Sequence, residues 1–131
     1  MKIEFSKDLE TGVQWQDKQH LELIQKVEAL LNAVEAHADM ATTIKFLDFL
    51  DDYAVVHFHD EEKAMSDTSF AESVAHTEEH HHFIEEISDI RKRLESGGNF
   101  DMEHLKTHIF DWLANHISVE DKKLGRHILK S

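Results

Sequence analysis

Polar residues interrupt the apolar stripe of every long helical segment in this chain. Reading from the N-terminus they are His20, His57 with Glu61, His76 with His80, and His116 with Asp121. The pairs His57/Glu61 and His76/His80 are spaced i,i+4, which sets both side chains on one helix face. Leu50 and Tyr53 share the stripe of His57 and Glu61, and Phe83 and Ile87 share that of His80. Burying imidazole and carboxylate groups is costly unless their polar atoms are satisfied. A shared cation satisfies all of them at once, so the pattern drives the chain toward helices packed around a common polar centre. Nitrogen and carboxylate donors without any cysteine suit a pair of iron ions better than a zinc finger or a calcium loop.

The absence of proline and the presence of only Gly12, Gly97, Gly98 and Gly125 predict long helices with few breaks. Residues 1–15 read as an arm ending in Val13-Gln14-Trp15. Helix one is expected over about 16–37, with Ile24, Val27, Leu31 and Val34 on the stripe of His20. Helix two is expected over about 41–65, with Phe46, Leu50, Tyr53, Ala54 and Met65 beside its site residues. After a turn at Ser66–Ser69, a capping box of Ser69 and Glu72 is expected to open helix three. Its inner face carries Phe83, Ile84, Ile87, Ile90 and Leu94, and Gly97-Gly98 stops it. Asn99 or Asp101 is expected to cap helix four, whose inner face holds Leu105, Ile109, Trp112, Leu113 and His116. A short last helix is expected over about 119–129. His116 and Asp121 are five apart, so a break near Ser118 is expected to swing Asp121 back toward the centre. The expected fold is all-α: an antiparallel up-down-up-down four-helix bundle with an N-terminal arm and a short C-terminal helix, forming one domain over residues 1–131.

The balance of 40% hydrophobic and 31% charged residues is that of an ordinary soluble domain. A formal net charge of -13 argues against nucleic acid as a partner, because that class needs a basic face. The lack of cysteine excludes thiolate zinc sites, iron–sulfur clusters and disulfides. The segment Met1-Lys2-Ile3-Glu4-Phe5 has no signal-peptide character, and no stretch approaches a membrane span. No membrane partner and a cytoplasmic location are therefore expected. The compositional anomaly is the 12 histidines, spread from His20 to His127.

Two six-coordinate ions offer about twelve positions. Five imidazoles, two bridging carboxylates and one solvent-derived bridge would leave a single vacant place for a small ligand. The segments Asp17-x-x-His20, His57-Phe58-x-x-Glu61-Glu62, His76-x-x-x-His80 and His116-Ile117-x-x-x-Asp121 resemble, in order, the four metal-binding motifs of the bacterial hemerythrins. The resemblance runs from Trp15 to the last helix. It implies a non-heme di-iron centre with an oxo or hydroxo bridge, in which His76, His80 and His116 hold one iron and His20 and His57 the other. It implies that Glu61 and Asp121 bridge the metals, and that dioxygen binds reversibly on the two-histidine iron, for storage, delivery or scavenging. One departure is the turn before helix three, where Phe70-Ala71 stands in place of the Tyr-Pro common in bacterial members.

The other histidines read as ordinary. His59, His81 and His82 fall off the inner stripe, His37 lies in a turn, and His104 and His127 look solvated. His108 sits at the edge of the inner face and is the histidine to follow for an indirect role at the centre. A sensor acting through a separate partner and a di-iron oxidase or iron reservoir are the competing readings. Ferritin-like sites use Glu-x-x-His on two helices. Here that spacing occurs only as Glu78/His81 and Glu79/His82, mostly away from the inner face. No hydrolase or phosphate-binding signature appears, so no enzymatic activity is expected.

Overall fold

The computed structural model describes residues 6–98 and 101–131. The proposed cap Asn99 and the first five residues of the arm lie outside that range. A single turn at Lys7–Leu9 precedes helices α1 (Gln14–Glu35), α2 (Met40–Asp67) and α3 (Ser73–Glu95). The fourth long helix is composite. It runs as α4 (Met102–Leu105), a π-helical stretch at Lys106–Asp111, α5 (Trp112–His116), a second π stretch at Ile117–Asp121, and α6 (Lys122–Lys130). Helix α2 packs against α1 and α3, and the composite helix packs against α1 and α3 to close the four-helix bundle. No helix of the described residues is long and apolar enough to cross a membrane.

The short C-terminal helix is present as α6, but the expected break at Ser118 is not. The helix continues through Ser118 with π geometry, whose i→i+5 hydrogen bonds close a loop one residue longer than those of the α form. A five-residue spacing is thereby brought onto one face without interrupting the helix.

Local signals set the helix ends. Asp39 caps α2 by accepting the Thr42 N–H at 2.7 Å, and Asp101 caps α4 by accepting the His104 N–H at 2.7 Å. Helices α1, α2 and α3 end in the same reversal. Ala38, Phe70 and Gly98 donate their N–H groups to Ala33, Met65 and Arg93 at 2.9, 2.9 and 2.8 Å. The residue before each donor is left-handed, with φ of 55° at His37, 55° at Ser69 and 80° at Gly97. The capping box at Ser69 and Glu72 therefore does not form. Ser69 is used to stop α2, and α3 begins at Ser73 without a side-chain cap.

Leu23, Ile24, Val27, Leu30, Leu31, Leu47, Leu50, Phe83, Ile87, Leu105, Ile109 and Ile117 form the fully enclosed core. Phe46, Tyr53, Ile84, Leu94 and Trp112 pack around its edge. The arm folds back onto the bundle because Asp17 accepts both the Thr11 N–H and the Thr11 hydroxyl, at 2.7 and 3.0 Å.

Candidate metal centre

The structure brings all seven predicted residues together. His20, His57, Glu61, His76, His80, His116 and Asp121 are each at most 1% exposed. Glu61 lies between two sets of imidazoles. Its Oε2 is 3.3 and 3.2 Å from the Nε2 atoms of His20 and His57, and its Oε1 is 3.4 and 3.0 Å from those of His76 and His80. Asp121 repeats the division. Its Oδ2 is 2.9 Å from His20 Nε2, while its Oδ1 is 3.0 and 3.3 Å from the Nε2 atoms of His76 and His116. Two groups of donors result, one of Glu61, His76, His80, His116 and Asp121, the other of His20, His57, Glu61 and Asp121. The carboxylates belong to both, with one oxygen facing each group.

Several of these close approaches are not hydrogen bonds. His57 Nε2, His116 Nε2 and both carboxylate oxygens of Asp121 are buried with no hydrogen-bond partner among the described residues. Buried polar atoms this close together yet unpaired are expensive. A cation between them removes the cost. Metal–donor bonds of about 2.1 Å place adjacent donors roughly 3 Å apart when they meet at a right angle. The observed separations fit that arrangement, and the donor set fits iron.

Surrounding groups fix the outer edge of three imidazoles. The Nδ1–H groups of His57, His80 and His116 donate to Gln19 Oε1 at 2.6 Å, Glu62 Oε2 at 2.9 Å and Glu79 Oε1 at 2.9 Å. Each bond fixes the ring's tautomer and orientation and leaves the Nε2 lone pair facing inward. Gln19 is itself held by Asp60 at 2.9 Å, and Gln16 donates to Glu61 Oε2 at 2.9 Å. Aromatic rings cover the flanks. Phe58 stacks on His80 with centroids 4.0 Å apart, and Trp112 stacks on His116 at 4.9 Å.

The buried carboxylates and imidazoles shift one another's titration. Burial opposes charge on His20, but Asp121 and Glu61 beside it raise its pKa to about 9. Burial likewise opposes charge on His76, but the carboxylates of Asp121 and Glu61 beside it raise its pKa to about 9. Burial is again outweighed at His116, where Asp121 and Glu79 raise the value to about 10. Burial would push Glu61 up, yet His57, His20 and His76 hold it well below the usual carboxylate range. Asp121 is lowered too, burial and the like charge of Glu61 being overcome by His116 and His20. The two buried carboxylates thus favour positive charge among the imidazoles.

Gln16, Gln19, Glu62 and Glu79 were not expected at the centre. Gln16 lies four residues before His20 on the same face, which was a readable signal. Glu62 and Glu79 reach in from outside the apolar stripe. Asp17, part of the first motif, holds the arm and is not among the donors. His108 does not support the centre, because its side chain turns outward and is 44% exposed. His127 is not merely solvated; its ring N–H donates to the Thr68 carbonyl at 2.7 Å, fastening α6 to the α2–α3 turn.

A buried cluster of imidazoles and shared carboxylates at the heart of a four-helix bundle defines a cation-binding helical protein. Residues 11–128 match the family model described as the Hemerythrin HHE cation binding domain. The chain is 36% identical over 116 residues to a bacteriohemerythrin of Pseudomonas aeruginosa strain LESB58, covering 87% of this chain and 73% of that one. It is 32% identical over 115 residues to a bacteriohemerythrin of Methylococcus capsulatus, covering 88% and 87%. A wild-type hemerythrin crystal structure superposes with a TM-score of 0.87 at 29% identity, covering 98% of each chain. The chain belongs to the hemerythrin family.

Proposed function

We propose that this protein binds dioxygen reversibly at two iron ions held by His20, His57, Glu61, His76, His80, His116 and Asp121. The observation that carries the reading is the division of each carboxylate between two imidazole groups, with one oxygen directed to each. Such carboxylates are placed to bridge two cations. When bound, the iron pair supplies the electrons and the open coordination position that dioxygen uptake requires.

The chain's own residues set the rest. His76, His80 and His116 give one group three imidazoles, whereas His20 and His57 give the other only two. The group with fewer donors is the one that would leave a position for a small ligand. Gln16 holds Glu61 on that side through its bond to Oε2, and Gln19 fixes His57 through Nδ1. Near-complete burial of the donors keeps bulk water from them. Nitrogen-rich donation favours carrying dioxygen over oxidative chemistry, so the protein is read as a carrier, not an enzyme, acting as one domain over residues 1–131.

The test is to load the protein with ferrous iron without oxygen, admit oxygen, and then withdraw it. A carrier gains a visible charge-transfer band with oxygen and loses it on withdrawal, and His57→Ala abolishes the cycle. Fast, permanent oxidation with hydrogen peroxide released would favour an oxidase and end the carrier reading.

A further inference from the structure

Outside the centre, the bundle surface carries a second convergence of potential ligands. Glu86 of α3, His104 of α4 and His108 of the following π stretch each offer a donor atom, all within 4.8 Å of one another. The cluster is built from two helical pairs. His82 and Glu86 are spaced i,i+4 on α3, and His104 and His108 have the same spacing on the composite helix. Glu86 Oε1 lies 3.7 Å from His82 Nε2 and 3.7 Å from His108 Nδ1. Both distances exceed a hydrogen bond, so the carboxylate sits between the rings without being committed to either. The rings of His104 and His108 lie face to face, with centroids 4.2 Å apart.

We propose that Glu86, His104 and His108, with His82 beside them, form a separate surface site for one divalent cation of the zinc, nickel or copper class. Imidazole nitrogens with one carboxylate match the borderline softness of these ions, and calcium or magnesium would want oxygen donors throughout. Three protein ligands leave a position open to solvent, the arrangement in which zinc retains a water. Glu86 is the anchor. Its side chain is 19% exposed, while those of His82 and His108 are 53% and 44% exposed and free to close on an ion. None of the four residues belongs to the central cluster, and the proposal does not rest on which metal that cluster holds.

Zinc chloride titrated calorimetrically into the iron-loaded protein, with iron counted afterwards, tests it. One zinc should bind per chain with all iron retained. Losing an outer-shell partner already costs about 10–100-fold in metal affinity, so His104→Ala/His108→Ala should weaken zinc binding at least about 100-fold. Glu86→Gln should weaken it at least about tenfold. His59→Ala, which alters an exposed histidine elsewhere on the surface, should leave it unchanged. Circular dichroism establishes that each variant is folded. Zinc binding equally tight in the double variant would overturn the site. So would zinc uptake only in step with iron loss, which would mean displacement at the centre.

Discussion

Gly125 is the position where close packing and helix propensity make opposite demands. It lies inside α6 and is buried. In an unobstructed helix, replacing Gly with Ala stabilises by about 1 kcal/mol. Here an added Cβ would stand 2.8 Å from Thr11 Cβ, 3.1 Å from the Thr11 carbonyl oxygen and 3.3 Å from Gln16 Oε1. The first two atoms are not the ends of flexible side chains, and Asp17 ties Thr11 down through two hydrogen bonds. Overpacking of this kind costs about 1–3 kcal/mol, and the shortest contact places this case toward the upper end. Gly125→Ala should therefore destabilise the metal-free protein by about 1–2 kcal/mol net, or roughly 3–8 °C in Tm. Thermal melts followed by circular dichroism measure it. The loss should shrink when Thr11→Gly removes the opposing Cβ, a coupling that a double-mutant cycle reads directly. A higher Tm for Gly125→Ala, or an unchanged loss in the Thr11→Gly background, would refute the packing argument.

Two further outcomes follow from the electrostatics of the centre. Raised histidine pKa values stabilise the metal-free fold fully below about pH 6.5, and this is lost as pH rises through about 9 to 10. The depressed carboxylates contribute above about pH 4 and lose that contribution on acidification. Metal-free stability should thus peak in mildly acidic solution and fall along the alkaline limb, and stability that keeps rising from about pH 7 to 10 would contradict the assignment. Iron removal is the second perturbation. Ferrous iron at about a hundred times its Kd adds ~2.7 kcal/mol, so chelation should lower Tm by roughly 10 °C. Identical melts with and without iron would show that the centre contributes nothing to the fold.

Six of the seven clustered residues were legible because each sits where an apolar residue belongs; Asp121, five residues after His116, was placed with them by the family resemblance. A polar side chain on a buried stripe must find a partner, and for those six spacing alone reveals that they are on the stripe. The partners themselves obey no such rule. Glu62 and Glu79 lie at the flank of their helices, and whether a flanking carboxylate reaches a neighbouring Nδ1 depends on how the helices are set against one another. That arrangement is a property of the packed bundle, not of any single helix. The reversal at Ser69 was hidden for another reason. Ser69 and Glu72 fit a capping box locally, but the same serine can adopt the left-handed conformation that ends α2 and frees Phe70 to bond Met65.

The π stretch at Ile117–Asp121 resolves the spacing that was hardest to read. Five residues of regular α-helix turn through about 500°, which would carry Asp121 roughly 140° away from the face of His116. A break could return Asp121 to the centre, but it would also detach the residues on either side from the core. Ile117 and Leu124 are both fully buried, so a continuous helix is worth keeping. Widening one turn brings Asp121 Oδ1 within 3.3 Å of His116 Nε2 while Ile117 and Leu124 stay in the interior. The extra residue therefore lets one helix supply both an imidazole and a shared carboxylate without giving up its apolar face. This is the physical reason for a five-residue spacing where the other pairs of donors use four.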